Sequence, residues 1–173
     1  NDKIGIACNH FPQHKDFKKT NVKYSVLIEP YYFMPFFDKL VKKRKVEANF
    51  SFNPISFHYR KLIKSNLNIK FFVNLSNYFF LSGKNVHFLY RTILFNKTKA
   101  DRTLCEKFNC DAGVLKRSIS LAVYLGFKEI YLVGCDYLFY PRQSGHWYEY
   151  GQPIVSYKYD KEYIDAFIDE LKK

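Results

Sequence analysis

The sequence predicts an α/β fold: a Rossmann-like, mostly parallel sheet flanked by helices, in a single domain over residues 1–173. Three observations carry this expectation. Apolar runs of strand length recur along the chain, at Ile4 to Cys8, Tyr24 to Ile28, Ile69 to Val73 and Val86 to Tyr90. Segments with helical apolar spacing fall between and after them, and strands alternating with helices form parallel sheets through crossover connections. The stretch from Gly113 to Asp136 then reads as a helix, a glycine turn, a buried strand and an acidic residue at that strand's carboxyl end.

Taken in order, Ile4 to Cys8 is a short buried strand and the polar stretch Asn9 to Thr20 a loop. Tyr24 to Ile28 is the second strand. Pro30 opens a helix reaching about Lys43, with Phe33, Phe36, Phe37, Leu40 and Val41 at helical spacing. Pro35 lies near its first turn and can delay its start. Ala48 to Phe52 suits a third strand. Pro54 starts a helix expected to turn Phe57, Leu62 and Ile63 inward and Arg60, Lys61 and Lys64 outward. Ile69 to Val73 and Val86 to Tyr90 are further strands, and the aromatic segment between them, Asn74 to Lys84, has no clear period. Neither does Ile93 to Cys110.

Gly113 to Leu125 is a helix with Val114, Leu121 and Leu125 on one apolar line and Leu115, Ile119 and Ala122 beside it. Arg117 in this helix is expected to face solvent. Gly126 suits a left-handed helix terminus. Glu129 to Val133 is the following strand, residues 137–158 are irregular, and Tyr159 to Lys172 is a closing amphipathic helix. No repeat or linker interrupts the chain.

The net charge is +12, which favours an anionic partner: a nucleotide, a phosphorylated lipid, an acidic glycan or a nucleic acid. A lysine-rich solvated surface explains it equally well. No nucleic-acid reading motif is present, and the aromatic residues follow core spacing, so nucleic acid is not the expected partner. Cys105 and Cys110 are poorly spaced for zinc and lack a second pair. Cys8 and Cys135 lie in apolar strand-like runs, where a buried thiol is the default. No segment has the roughly 18–20 apolar residues of a membrane span, and no signal peptide is visible. The expected location is cytoplasmic. Basic and aromatic residues also suit peripheral contact with an anionic membrane at its inner face. The chain begins at Asn1 rather than Met, and further residues are expected upstream.

In open α/β sheets ligands bind outside the carboxyl ends of the strands. Asp136 falls at such an end, and Gly145-His146-Trp147-Tyr148 follows about ten residues later. Asp136 equally suits capping the next turn. A histidine among aromatics is more often structural than catalytic, and His10, His14, His58 and His87 are weaker candidates than His146.

Three pieces of wording carry a resemblance. They are Ala112-Gly113-Val114, Ser118-Ile119-Ser120-Leu121-Ala122, and Leu125-Gly126-Phe127-Lys128-Glu129-Ile130-Tyr131-Leu132-Val133-Gly134-Cys135-Asp136. Together they resemble the bacterial sialyltransferases of glycosyltransferase family 42, which carry a similar SGV…AIAL…LGYKEIYLSGID segment. Ile6-Ala7-Cys8-Asn9-His10-Phe11 resembles that family's strand ending in Cys-Asn-Gln-Phe. Tyr24 to Phe33 sits where the family has a strand running into Asn-Pro-aromatic-aromatic. The order of elements is alike over most of residues 4–148, and close identity is confined to 112–136. The last segment also resembles uncharacterised bacterial polysaccharide-biosynthesis proteins, which end it with Gly-x-Asp and follow with His-aromatic-Tyr. Archaeal pterin diphosphokinase-like proteins share a related helix–strand unit.

The resemblance implies an inverting transfer of a sialic-acid-like sugar from a cytidine monophosphate donor to a surface glycan or lipopolysaccharide acceptor. It implies His146 as general base, a role suited to a side chain whose ordinary pKa is about 6.5. It places Asn9 and Asp136 at the substrate, with Tyr137, Tyr140 and Tyr148 as phosphate contacts. The family works without a metal, and no Asp-x-Asp motif occurs here, so no cofactor is expected. The sequence departs from the family at Glu29 for Asn, Asp111-Ala112 for Thr-Ser and Leu138 for Tyr, and the family's Gly-Asn-Gly-Pro-Ser phosphate turn, whose place is upstream of Ile4, is either absent or lies before Asn1. The alternatives are a non-catalytic member binding an anionic ligand and a diphosphokinase-like enzyme needing Mg²⁺ and ATP.

Overall fold

The computed structural model describes residues 3–29, 32–34, 52–90 and 113–135. The expected helix from Pro30 to Lys43, apart from Tyr32, Phe33 and Met34, lies outside them. So do the segment after Tyr90 up to Ala112, the irregular stretch 137–158 and the closing helix Tyr159 to Lys172. The chain divides into two compact units, Asn1–Lys128 and Glu129–Lys173.

The first unit is an α/β structure with a parallel, Rossmann-like sheet. Its strands are β1 (Gly5–Cys8), β2 (Val22–Leu27), β3 (Lys70–Asn74) and β4 (Val86–Leu89). They lie side by side in chain order and every pairing is parallel. Strands added always in one direction, with right-handed crossovers, must carry their connections over one face of the sheet. The core shows this. Phe17 from the first connection, Tyr59 and Ile63 from the second and Leu81 from the third share one cluster with Ala7, Leu27, Phe71 and Val73.

Only the second connection holds an α-helix among the described residues, α1 (Phe52–Ser65). The first, read as loop, is made of two 3₁₀ turns, Phe11–Gln13 and Phe17–Lys19. The third, whose period was unclear, opens with the 3₁₀ turn Leu75–Asn77.

The opposite face is covered by α2 (Gly113–Tyr124), whose Leu121 and Val114 pack with Ile6, Tyr24, Val26, Ile28, Phe72 and Leu89. Neighbouring residues of one strand thus face opposite layers, Phe71 and Val73 towards α1 and Phe72 towards α2. This is why the strands read as continuous apolar runs. One irregularity interrupts the alternation. Gly5 pairs with Val22 but Ile6 pairs with Tyr24, so β2 carries an extra residue there. The bulge turns Val22 into the α1-side cluster, directly against Gly5. A Cβ on Gly5 would sit 3.0 Å from Val22 Cγ2.

α2 ends as its glycine predicts. Gly126 is left-handed at φ 85°. Its N–H donates to the Val123 carbonyl at 3.0 Å, and the Phe127 N–H donates to the Ala122 carbonyl at 3.1 Å. This pair of bonds forms a Schellman closure. Phe127 then meets Tyr24 edge-on at 6.4 Å, while Ser118, nearer the other end of α2, touches Cys8. α2 therefore runs antiparallel to the strands, with its first turns at their carboxyl ends.

Several expectations are corrected. Phe52, placed in a strand, opens α1 instead. Phe57 is 66% exposed, and Tyr59, four residues before Ile63, takes the inward position. Arg117 is buried at 2% exposure, not solvent-facing, because it lies three residues after Val114 and four before Leu121 on the same inward stripe. Leu125, expected on that stripe, falls at the helix end and is exposed. In the second unit, Glu129 to Val133 is irregular and exposed, not a buried strand. β-prone composition makes a strand only where a neighbouring ladder takes up its N–H and C=O groups, and residues 129–133 carry no ladder. Cys135, expected in a buried strand, is half-buried outside any strand.

Candidate functional site

The carboxyl end of β1 gathers polar side chains from both layers. Asn9 is the turning point. Its N–H makes a bond in continuation of β1, to the Val26 carbonyl at 3.0 Å, and its backbone then enters the left-handed region at φ 46°. Asparagine tolerates that conformation better than other residues bearing a Cβ. The turn carries His10 back under the sheet edge, where it is buried.

His10 is held at both ring nitrogens. Tyr59, fully buried on α1, donates its hydroxyl proton to the Asn9 carbonyl at 2.7 Å and lies 3.1 Å from His10 Nδ1. A carbonyl can only accept, so the single phenolic proton goes to Asn9 and Nδ1–H donates to the Tyr59 oxygen. That assignment turns Nε2 towards the Tyr32 hydroxyl at 3.3 Å. The three rings pack together, with Tyr32 stacked on Tyr59 at 5.6 Å and His10 tilted against both at 5.8 and 5.9 Å.

The ends of β2 and β3 are tied by two buried asparagines. Asn74 Nδ2 donates to the Ile28 carbonyl at 3.0 Å, and its Oδ1 accepts the Ser76 N–H at 3.0 Å, capping the 3₁₀ turn. Asn77 Nδ2 donates to the Glu29 carbonyl at 3.2 Å and the Asn74 carbonyl at 3.3 Å, while its Oδ1 accepts the Phe33 N–H at 3.1 Å. Arg60 adds a bond to the Phe33 carbonyl at 3.1 Å. The segment carrying Glu29, Tyr32 and Phe33 is therefore fixed by side chains rather than by the ladder.

From the other face α2 reaches the same strand end. Ser118 donates to the Val114 carbonyl at 2.9 Å. Its proton is thereby used, so the Cys8 thiol donates to the Ser118 oxygen at 3.1 Å. Arg117, buried in the same turn, brings a guanidinium into this layer. A buried cation needs partners with acceptor oxygens.

Two groups in the turn after β1 are buried without a hydrogen-bond partner among the described residues: the Asn9 amide oxygen and the Gln13 amide nitrogen. An acceptor and a donor left unpaired at a strand's carboxyl end are what a polar ligand would satisfy.

Of the residues the sequence nominates, Asn9 stands in this cluster. Asp136, Tyr137, Tyr140, His146 and Tyr148 lie outside the described residues. The cluster adds His10, a weaker candidate than His146 in the sequence, together with Gln13, Tyr32, Tyr59, Asn74, Asn77 and Ser118, which the sequence does not nominate. Signals for some of them exist. Tyr59 stands four residues before Ile63, and Asn74-Leu75-Ser76-Asn77 directly follows a buried strand, where asparagines make side-chain turns. Comparison with protein-family models, with curated proteins and with solved structures finds no match for this chain.

Proposed function

We propose that the chain is an inverting, metal-independent glycosyltransferase of sialyltransferase type. It takes a sialic-acid-like sugar from a cytidine monophosphate donor and passes it to a surface glycan or lipopolysaccharide acceptor. The observation that carries this reading is Asn9: its amide oxygen is buried and unpaired among the described residues, at the carboxyl end of the first strand. That is where the resemblance expects an asparagine contacting the nucleotide.

In this reading Asn9 accepts a hydrogen bond from the cytidine, and Tyr59 holds the Asn9 carbonyl and with it the turn that carries the amide. The acceptor hydroxyl oxygen bonds to the anomeric carbon as the bond to the phosphate oxygen breaks. The bond's electron pair leaves with cytidine monophosphate, and the hydroxyl proton passes to His146. Asp136 and the Tyr137, Tyr140 and Tyr148 hydroxyls orient the sugar and steady the departing phosphate.

The test is calorimetric titration of the protein with cytidine monophosphate, alongside a panel of cytidine and uridine sugar donors. Loss of the amide in Asn9→Ala is expected to weaken nucleotide binding about tenfold, as for one buried hydrogen bond. No turnover with any donor in the panel, or a fully active His146→Ala variant, overturns the mechanism. A second reading, a non-catalytic binder of an anionic ligand, is supported by the net charge of +12. Nucleotide binding without turnover would select it.

A further inference from the structure

The outer surface of α1 sets cations beside exposed rings. Between Glu47 and Asp101 the chain has no Asp or Glu at all, while Arg60, Lys61, Lys64, Lys70 and Lys84 fall within the described part of that span. Folding concentrates three of these cations beside unburied rings. Phe57, Arg60, Lys61 and Lys64 line one shallow recess along α1. Arg60 and Lys64 also line a second recess, of about 270 Å³, whose other wall is Tyr78 and Phe79 after β3. The two recesses share residues and so form one continuous surface.

Phe57 is 66% exposed, Phe79 is 87% exposed and Tyr78 is also open to solvent. No ion pair to Arg60, Lys61 or Lys64 occurs among the described residues. Tyr59 and Ile63 already fill the inward line of α1, and Tyr78 meets the core edge-on through Phe88, at 5.3 Å.

We infer that this surface docks onto an anionic lipid bilayer, with Phe57, Tyr78 and Phe79 entering the headgroup boundary and Lys61 and Lys64 facing the lipid phosphates. The occupant follows from charge complementarity and from shape. The patch is a broad, shallow face of one sign rather than an enclosed pocket, and exposed aromatics interleaved with cations suit an interface that is apolar below and anionic above. Among the described residues no helix is long and apolar enough to cross a membrane, so the contact is one of adsorption. It goes beyond the proposed glycosyl transfer and does not rest on it, because vesicle binding is read with no donor or acceptor present.

The experiment is cosedimentation of the protein with phosphatidylcholine vesicles, with and without phosphatidylglycerol, at low and high salt. Binding is expected only with phosphatidylglycerol and is expected to fall as salt rises. Each cation at the surface is worth about fivefold in partition, so Lys61→Glu with Lys64→Glu is expected to lose more than tenfold. Phe79→Ser, at unchanged charge, is expected to lose several-fold more than Leu67→Ser, a change at an exposed apolar residue off the patch. Both sets lie on the surface, and the single change at Phe79 stands if the double reversal fails to fold. Equal binding to pure phosphatidylcholine overturns the inference, as does partition indifferent to both changes. Displacement from the vesicles by a single-stranded oligonucleotide, with Phe79→Ser behaving as wild type, would assign the patch to nucleic acid instead.

Discussion

The two helices approach the same strand end from opposite faces and do different work there. α1 delivers an aromatic hydroxyl, Tyr59, which fixes the Asn9 carbonyl and His10 together. α2 delivers a small hydroxyl, Ser118, which donates to the Val114 carbonyl of its own helix and meets the Cys8 thiol. The α1 side is thus a polar clamp built on a large ring, while the α2 side joins apolar packing to the Ser118–Cys8 contact and the buried Arg117. Geometry at the turn after β1 should therefore depend on α1, and cohesion of the opposite layer on the side chains of α2.

The largest effects test that division. Tyr59→Ala and Leu121→Ala each remove a fully buried side chain, one from each layer, and each is expected to cost about 3–5 kcal/mol in urea unfolding. If the division holds, only Tyr59→Ala also shifts the His10 resonances in NMR at native conditions.

Tyr59→Phe isolates the hydroxyl. It keeps the ring and leaves the Asn9 carbonyl and His10 Nδ1 without that partner, for an expected loss of about 1–3 kcal/mol. A loss within error of zero would show that the clamp is packing alone. Gly126→Ala probes the other side at its terminus. A side chain at φ 85° is expected to cost about 1–2 kcal/mol by the left-handed penalty. The thermal midpoint should fall while any nucleotide binding stays intact. Ser118→Ala should have the smallest effect, about 0.5–1.5 kcal/mol. A larger loss than for Tyr59→Phe would reverse the comparison.

Much of this architecture is legible in the residues. The run Phe71-Phe72-Val73 is apolar on both faces because the α1 layer covers one and α2 the other. Gly126 announced its own turn. The inward line of α1 was harder to see, because Phe57 outranks Tyr59 in hydrophobicity. Spacing decides the matter: Tyr59 lies one helical turn from Ile63, whereas Phe57 lies well around the cylinder. Arg117 misleads for the converse reason, a charge on a stripe whose spacing is inward. The run Ile130 to Val133 misleads in a third way, since its composition names a strand but pairing requires a partner edge. Of the site, Asn9 could be read from the chain. The His10 clamp could not, because it joins residues some fifty positions apart in sequence through a turn whose handedness only the fold reveals.

The order of the strands has a consequence for how the molecule forms. Every strand pairs with the one that follows it in the chain. Two of the three connections are short enough to close without waiting for a distant segment. Short loops carry a low entropy of closure, and pairings between neighbours in sequence favour rapid folding. A chain emerging from the ribosome amino end first can lay β2 on β1, β3 on β2 and β4 on β3 in turn, with α2 sealing the second face afterwards. Assembly of this sheet can then keep pace with synthesis, and the edge most recently exposed is always the one the next strand covers.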